Sequence, residues 1–439
     1  MSDDFIRRTL DDLQARGLLR RLTAVGSCAG PTIDLGGRRV LSFASNNYLG
    51  LAADPRVTEA ARRALERWGW GAGSSRAVAG HTDAHAALEA DLAAFKHAEA
   101  ALVFPSGYQA NLGLLTALAG RGDLVLMDRA NHASLYDGVR LSGADLDRYA
   151  HADTAAAAGL LEKHRGRPGR RLLVTDTVFS MDGDLAPLAA LAALAEREGA
   201  MLLVDEAHAL GVLGPTGAGL AEAAGVGIGP SSHDHEVAGM PLTGEDARDL
   251  TFAARGGTIT ASVGTLSKAL GGVGGFVAAS RDVCDLLVNR ARSFLYTTAL
   301  PAAACEAARA ALAIVRTEPE RRVRLLELSR QLRAMLIERG FDLTTPSTGG
   351  MPTPPLRGHE PGAEGTIGPT PIIPVIVGEP ERALAMAGRL LERGIFCPAI
   401  RPPTVPPGTS RLRISLTCEH TDEDLARLAA ALVAARDGV

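Results

Sequence analysis

Six short apolar runs, each ending in polar or small residues, alternate with helix-like stretches through the middle of the chain. Runs that are apolar on both faces are typical of parallel strands covered by helices on both sides. The pattern therefore predicts a doubly wound, mostly parallel α/β domain over residues 45–315. The runs are AALVFPSG, DLVLMDRA, RLLVTDTVFS, AMLLVDEAH, ITASVGTLSK and GGFVAAS.

Polar residues that follow these runs are expected along one edge of the sheet. In open α/β sheets, ligands bind beyond the carboxyl ends of the strands. The sequence therefore predicts a small-molecule site at that edge. The polar candidates there are Ser106, Asp128, Ser180, Asp205, His208 and Lys268.

The segments outside this domain have different patterns. Residues 1–44 begin with charged and apolar residues at helical spacing, and we predict an N-terminal helical segment. Residues 316–439 combine helical patterns with the strand-like runs PIIPVIVG and RLRISL, which predicts a smaller α+β domain. Two stretches break the regularity, one at about 227–258 and a proline-rich one at about 346–371. We expect both to be surface insertions.

Composition and charge exclude several classes of function. The formal net charge is -4, and no long block of like charges occurs, which argues against a nucleic-acid partner. The N-terminus interleaves acids and bases with apolar residues instead of forming an apolar signal core, and no 18-residue apolar run occurs elsewhere, so we expect no membrane partner and a cytosolic location. The five cysteines are scattered and never form a CxxC pair, which predicts reduced thiols.

Two groups of histidines suggest a metal site but lack the right spacing. HDHE occupies residues 233–236, within a predicted insertion, and His81 and His85 are four residues apart. Neither group matches HExxH. We predict no catalytic metal.

Lys268 lies in the stretch GTLSKALGGVGG and is one of only three lysines in 439 residues. Lysine can lose its proton and attack a carbonyl carbon, whereas arginine cannot. The glycines that follow allow close backbone approach, so an amine and a phosphate could share this turn. The pattern favours a nucleophilic amine. A surface lysine in a flexible loop is the alternative.

Asp205 ends an apolar run in the stretch LLVDEAHALG, which also resembles the second nucleotide motif of helicase-type ATPases. Such an ATPase needs a GxxxxGK[ST] loop, and no lysine here follows a glycine. A strand-end aspartate could instead keep the pyridine nitrogen of pyridoxal phosphate (PLP) protonated. A solvated aspartate is the alternative.

Four other features are weak when each is taken alone. Ser106 opens a helix whose N-terminus could receive a phosphate. His132 could stack on a planar cofactor or lie at the surface, and His208 could bond a ring substituent or cap its loop. Arg411 and Arg413 point the same way on a strand, where they could hold a carboxylate or be solvated.

Taken together, these motifs resemble those of the α-oxoamine synthases, PLP-dependent enzymes of the aspartate-aminotransferase fold type I. The resemblance covers nearly the whole chain and implies a large PLP-binding domain beside a smaller C-terminal domain. Asn47 departs from the pattern, which often has aspartate there. The motifs are SNNYLGL, GAGSSRAVAGHTDAHAALE, SGYQANLG, NHASLYDG, TDTVFSMDGDLAPL, VDEAHALGVLGPTGAGL and TLSKALGGVGG.

The resemblance implies roles for individual residues. Lys268 would hold PLP as a Schiff base, Asp205 would pair with the pyridine nitrogen, and His132 would stack over the ring. The other implied cofactor contacts are Gly107, Tyr108, Ser180, His208, Thr265 and, across a dimer interface, Thr298. The implied substrate contacts are Arg20, Asn46, Thr404 and Arg413, the last with the amino-acid carboxylate.

The family also implies a reaction and a homodimer. Its members condense a small amino acid with an acyl-CoA and release carbon dioxide. The stretch AIRPPTVPPGTSRLRISLT is most like that of the biotin-pathway members, which join L-alanine to pimeloyl-CoA. Relatives that act as glycine C-acetyltransferase, 5-aminolevulinate synthase or serine palmitoyltransferase are alternatives, as is a catalytically idle scaffold. Either insertion could border the acyl-chain or CoA entrance, so acyl specificity stays open.

Overall fold

A computed structural model describes residues 2–229, 257–343 and 370–438. Most of both predicted insertions lies outside these residues. The described helices are α1 Ser2–Ala15, α2 Pro55–Trp68, α3 Asp83–Phe95, α4 Gly107–Leu118, α5 Ala133–Ser142, α6 Thr154–Lys163, α7 Leu188–Glu198, α8 Leu220–Ala224, α9 Arg281–Arg290, α10 Arg292–Leu295, α11 Ala302–Thr317, α12 Glu320–Glu338, α13 Pro380–Glu392 and α14 Asp422–Arg436. The described strands are β1 Thr32–Leu35, β2 Arg38–Ser42, β3 Ala100–Phe104, β4 Leu124–Asp128, β5 Asp145–Tyr149, β6 Arg171–Asp176, β7 Met201–Asp205, β8 Gly227–Ile228, β9 Thr258–Ile259, β10 Ala261–Thr265, β11 Gly275–Ala279, β12 Ile372–Gly378, β13 Ile395–Phe396, β14 Ala399–Ile400 and β15 Ser410–Ser415.

The largest sheet has seven strands in the order β3-β11-β10-β7-β6-β4-β5. All neighbouring strands are parallel except at β11, which is antiparallel to both β10 and β3. Each of the six apolar runs forms one strand of this sheet. The predicted doubly wound, mostly parallel α/β fold is confirmed.

Helices cover both faces of this sheet, and the strand sequences show why. In β4, Leu124 and Leu126 pack into one hydrophobic core, whereas Val125 and Met127 pack into another. Successive side chains of a strand point to opposite faces, so a strand between two cores must be apolar at every position. The arrangement leaves the carboxyl edge of the sheet for polar groups.

Two smaller sheets lie outside the large one. Strands β12, β15 and β14 form an antiparallel sheet from the C-terminal part of the chain. Strands β1 and β2 form a hairpin, and β13 adds to β2 in parallel. Residues 1–44 thus hold a hairpin as well as the predicted helix. Its turn is Gly36–Gly37, with φ of 59° and 81°, a Gly-Gly hairpin signal in the sequence. The limits of the predicted domains stay predictions.

Within the described ranges, no helix is both long and apolar enough to cross a membrane. The same residues contain no group of three or more His, Cys, Asp or Glu side chains placed to hold a metal ion. HDHE lies outside them. All five cysteines are free thiols. The cytosolic location stays a prediction.

Candidate active site

A cavity of about 200 Å³ opens at the carboxyl edge of the large sheet. Its wall comes from the segments that follow β3, β4, β6, β7 and β10, as the sequence predicts. Eight of the nine predicted cofactor residues line it, the exception being Thr298. The full lining is Ser106, Gly107, Tyr108, Asn111, His132, Ser134, Asp176, Val178, Ser180, Asp205, Ala207, His208, Thr265, Ser267 and Lys268.

Lys268 follows β10 and lines the cavity with a half-buried side chain. Loss of hydration is the main cause that lowers the pKa of its amine, the nearby Arg413 cation adds to the effect, and the net value is about 8. Asp205 and Asp176 oppose this shift but do not cancel it. About a tenth of the amine is therefore unprotonated at pH 7, and only this form can act as a nucleophile.

Asp205 ends β7 and lies buried on the cavity wall. Its Oδ1 accepts the backbone N–H of Ala207 at 2.8 Å, and its Oδ2 accepts the side-chain amide of Asn111 at 2.7 Å. These two donors fix the carboxylate in one orientation. Asn111 also donates to the Ser134 hydroxyl at 2.9 Å, which ties α4 to α5 beneath the cavity.

His132 is the N-cap of α5, and its position follows from that role. Its Nδ1 accepts the backbone N–H of Ser134 at 3.3 Å, which leaves Nε2 as the protonated nitrogen of the neutral ring. Removal of water from the ring lowers the pKa of His132, and the Lys268 cation adds to the effect. The ring is therefore a neutral, flat group at the cavity wall.

Asp176 ends β6 and is a site residue that our sequence reasoning missed. It is buried, its Oδ2 accepts the backbone N–H of His132 at 3.1 Å, and its Oδ1 has no partner. Burial and the charge of Asp205 raise its pKa well above the usual value. The sequence did contain a signal for Asp176. It ends an apolar run, as Asp205 does, and so could have been predicted at the same edge of the sheet.

The N-terminus of α4 forms one end of the cavity. The Ser106 hydroxyl accepts the backbone N–H of Gln109 at 3.1 Å, which leaves earlier N–H groups of the helix open. A Cβ on Gly275 would clash with the backbone of Gly107, so glycine is required for β11 to pass this turn. Thr265 lies beside Gly107. Because the first N–H groups of α4 are open, its N-terminus is suited to bind an anion.

His208 is buried on the cavity wall, and its Nδ1 lies 2.7 Å from the Tyr48 hydroxyl. Burial lowers the pKa of His208 well below the usual value, and the cations Lys268 and Arg413 add to this. The ring is therefore neutral. Tyr48 also lies 3.2 Å from Oδ1 of Asn46, which connects the cavity to the next group of predicted residues.

Of the two arginines on β15, only Arg413 is available for an anion. Arg411 forms a buried ion pair with Asp182. Arg413 is also buried, but its partners are neutral: the Ser180 carbonyl at 2.6 Å, the Ser415 hydroxyl at 3.0 Å and Oδ1 of Asn46 at 3.3 Å. Among the described residues no carboxylate pairs with Arg413. A buried guanidinium with only neutral partners favours an anionic ligand.

The remaining predicted residues lie away from the cavity wall. Arg20 donates to the Thr404 hydroxyl at 3.4 Å, so these two residues from distant parts of the chain form one pair. Thr298 is exposed and forms a backbone bridge with Ser75. Its predicted contact across a dimer interface concerns a second copy and stays a prediction. Asp128, a sequence candidate for the rim, is bonded to His151 instead.

The described residues fit PLP. The cavity combines an amine whose pKa is lowered, a fixed carboxylate, a neutral imidazole and a helix N-terminus. These match an aldehyde, a pyridinium nitrogen, a planar ring and a phosphate in turn. The buried Oδ1 atoms of Asn111 and Asp176 lack protein partners at the same wall.

Sequence comparison places these residues in a family. The profile of aminotransferase class I and II matches residues 38–432. The 8-amino-7-oxononanoate synthase of Anaeromyxobacter dehalogenans is 48% identical over 433 residues, which cover 98% of this chain and 96% of that protein. The 8-amino-7-oxononanoate synthase of Geobacter sulfurreducens is 46% identical over 426 residues, which cover 96% of this chain and 95% of that protein.

Solved structures agree with this placement. Sphingomonas wittichii serine palmitoyltransferase superposes with a TM-score of 0.81 at 30% identity, over 99% of this chain and 97% of that chain. The 8-amino-7-oxononanoate synthase of Francisella tularensis shares the fold with a TM-score of 0.67 at 24% identity, over 91% of this chain and 98% of that chain. The chain therefore belongs to the class I and II aminotransferases of PLP-dependent fold type I, as an α-oxoamine synthase of the 8-amino-7-oxononanoate synthase type.

Proposed function

We propose that this enzyme condenses L-alanine with pimeloyl-CoA and yields 8-amino-7-oxononanoate, carbon dioxide and free CoA. The observation that carries the chemistry is Lys268, an amine with a pKa of about 8 in the same cavity as the fixed carboxylate of Asp205. The names of the relatives at 42% to 48% identity support alanine and pimeloyl-CoA as the substrates.

In this proposal, each residue has a defined task during catalysis. Arg413 binds the alanine carboxylate and exchanges its neutral partners for it. The Nζ of Lys268 removes the Cα proton, since its lowered pKa makes it a base near neutral pH. Asp205 keeps the pyridine nitrogen protonated. When bound, PLP supplies an electron sink that makes the Cα proton acidic.

The second half of the proposed reaction joins the two substrates. Cα of alanine forms a bond to the thioester carbonyl carbon, the C–S bond breaks, and CoA leaves as the thiol. The β-keto acid then loses carbon dioxide, and a proton returns to Cα. In this proposal His132, which donates from Nε2, bonds the thioester oxygen or the carboxylate. One cavity must hold both substrates in the reacting orientation.

A substrate panel tests the proposal. Purified enzyme with PLP is supplied with alanine, glycine or serine and with pimeloyl-CoA, acetyl-CoA, succinyl-CoA or palmitoyl-CoA, and thiol release is measured. We expect the highest kcat/KM with alanine and pimeloyl-CoA. Higher turnover of serine with palmitoyl-CoA, the reaction named for the structural neighbour, would overturn the assignment. No thiol release from any pair would favour the scaffold alternative.

We also propose a homodimer in which Thr298 of one subunit contacts the PLP phosphate of the other. The exposed position of Thr298 outside its own cavity supports this. Light scattering should give twice the mass of the 45.6 kDa chain. The Thr298→Val variant should stay dimeric and bind PLP more weakly, whereas Thr317→Val, on the exposed end of α11, should not change PLP binding. A monomeric active enzyme would contradict the proposal.

A further inference from the structure

Tyr48 is a completely buried residue of the motif SNNYLGL, and the resemblance gave it no role. Its ring has no exposed surface, and its hydroxyl lies between two possible partners, Nδ1 of His208 at 2.7 Å and Oδ1 of Asn46 at 3.2 Å. Burial raises the pKa of Tyr48, so the hydroxyl keeps its proton. It has one proton to donate and must choose between these acceptors.

The state of His208 depends on that choice. A neutral imidazole carries one proton, on either Nδ1 or Nε2. If Tyr48 donates to Nδ1, the proton of His208 is on Nε2. If Tyr48 donates to Asn46 instead, Nδ1 of His208 must donate to Tyr48, and Nε2 is then a bare acceptor. The two arrangements give the cavity opposite hydrogen-bonding groups.

The surroundings of Asn46 favour the first arrangement. The terminal nitrogens of Arg413 both lie 3.3 Å from the side-chain oxygen of Asn46. Arginine only donates, so this atom must be the oxygen of the amide, and its acceptor capacity is already used. The Tyr48 hydroxyl also lies closer to Nδ1 of His208, at 2.7 Å, than to Oδ1 of Asn46, at 3.2 Å. A shorter contact with an open acceptor makes the better bond.

We propose that Tyr48 is a positioning residue that holds His208 as the tautomer protonated at Nε2, and so makes it a fixed hydrogen-bond donor to the phenolic oxygen of PLP. Among the described residues, none bonds Nε2 of His208, which lines the cavity. Before an amino acid binds, Asn46 and Arg413 orient the Tyr48 proton from the opposite side. The inference rests on PLP binding and is independent of the amino acid and acyl thioester.

Nitrogen NMR of the enzyme without PLP tests the tautomer directly. The protein is labelled with ¹⁵N in its 11 histidines, and the His208 signals are identified by their loss in His208→Gln. We expect a protonated Nε2 and an unprotonated Nδ1 that accepts a hydrogen bond. In Tyr48→Phe, the Nδ1 signal should move because that bond is gone. A protonated Nδ1 in the unaltered enzyme would overturn the proposal.

PLP binding gives a second readout with a matched control. Tyr149 is buried like Tyr48, but its hydroxyl bonds none of the residues that line the cavity. We expect Tyr48→Phe to weaken PLP binding about tenfold, the effect of one good hydrogen bond, and Tyr149→Phe to leave it unchanged. Equal PLP affinity in both variants would refute the role of Tyr48. Neither measurement uses a substrate, so a wrong substrate assignment would leave both results intact.

Discussion

The side-chain amide of Asn111 donates to Oδ2 of Asp205 across 2.7 Å, from the second turn of α4 to the end of β7. Both residues are buried. The same helix presents its N-terminus to the cavity, so α4 both offers an anion site and fixes a carboxylate. The helix therefore sets the distance between the two groups that would hold opposite ends of the cofactor.

Removal of this amide should weaken cofactor binding. Asn111→Leu has a similar size but leaves Asp205 without its side-chain donor, and a hydrogen bond to a charged group contributes about 1.5–3 kcal/mol. We expect PLP affinity to fall about 10- to 100-fold, as measured by fluorescence titration. Asn289→Leu, on the exposed face of α9, serves as the control. Unchanged PLP affinity in Asn111→Leu would show that Ala207 alone fixes the carboxylate.

The pKa of Lys268 predicts a pH dependence of cofactor capture. Only the unprotonated amine attacks the PLP aldehyde, so below the pKa of about 8 the capture rate should rise nearly tenfold per pH unit. Above about pH 8 the capture rate should no longer change with pH. Stopped-flow absorbance after mixing enzyme and PLP measures this rate. A rate that keeps rising tenfold per pH unit from about pH 8 to about pH 10 would contradict the lowered pKa, and Lys268→Ala should show no capture.

The two arginines of β15 should respond differently to the same substitution. Arg413→Lys loses the bidentate geometry that suits a carboxylate, and we expect the KM for alanine to rise at least about tenfold. Arg411→Lys keeps a cation beside Asp182 and should leave that KM within about twofold of its original value. Steady-state thiol release measures both. Equal KM values would remove Arg413 from substrate binding.

Lys96 should be important for stability. It forms a buried ion pair with Glu206, which also accepts the Ser262 hydroxyl at 2.9 Å. Lys96→Met leaves the carboxylate buried and unpaired, at a cost of about 3–5 kcal/mol. Lys163→Met, on the surface, should change stability by less than about 0.5 kcal/mol. Urea unfolding followed by circular dichroism measures the difference, and equal midpoints would contradict it.

His151 should stabilise the fold in a pH-dependent way. It bridges Asp128 at 2.9 Å and Asp184 at 2.6 Å. Burial opposes protonation, but the two carboxylates outweigh it and raise the pKa of His151 from 6.5 to about 10. Its contribution, on the order of 3 kcal/mol, is therefore full below about pH 6.5 and lost as pH rises toward about 10.

The variant His151→Gln tests this dependence. The loss of stability relative to the unaltered enzyme should be largest at about pH 6 and should shrink toward about pH 10, because the unaltered enzyme loses the charge there. Thermal unfolding at several pH values measures it. If the loss of stability in His151→Gln grew as pH rose, the raised pKa of His151 would be contradicted.

The sequence predicted the large sheet well because its strands are buried on both faces. Strand β5 was missed, and its sequence DLDRY explains why: four of its five residues retain exposed surface, so no apolar run marks it. The hairpin of β1 and β2 was also missed. Its strands have only four and five residues, the second does not alternate, and its neighbour β13 lies more than 350 residues further along the chain.

The site was predictable where a residue follows a strand and carries recognisable chemistry, as Lys268 and Asp205 do. Asn111 was not, because its role depends on a partner 94 residues away. The small number of lysines does not by itself identify a catalytic one, as Lys96 shows. It is as unusual in composition as Lys268, but it is paired with Glu206, 110 residues away. Only the folded chain separates a structural lysine from a catalytic one.

The addition of β13 to β2 also has a consequence for biosynthesis. Arg38 of the hairpin donates to the Leu391 carbonyl, 353 residues away along the chain. On the ribosome, the hairpin therefore emerges long before its neighbouring strand, and an open strand edge persists while the intervening chain is made. Such edges pair readily with other chains. We therefore expect the nascent polypeptide to benefit from protection by chaperones until β13 has emerged.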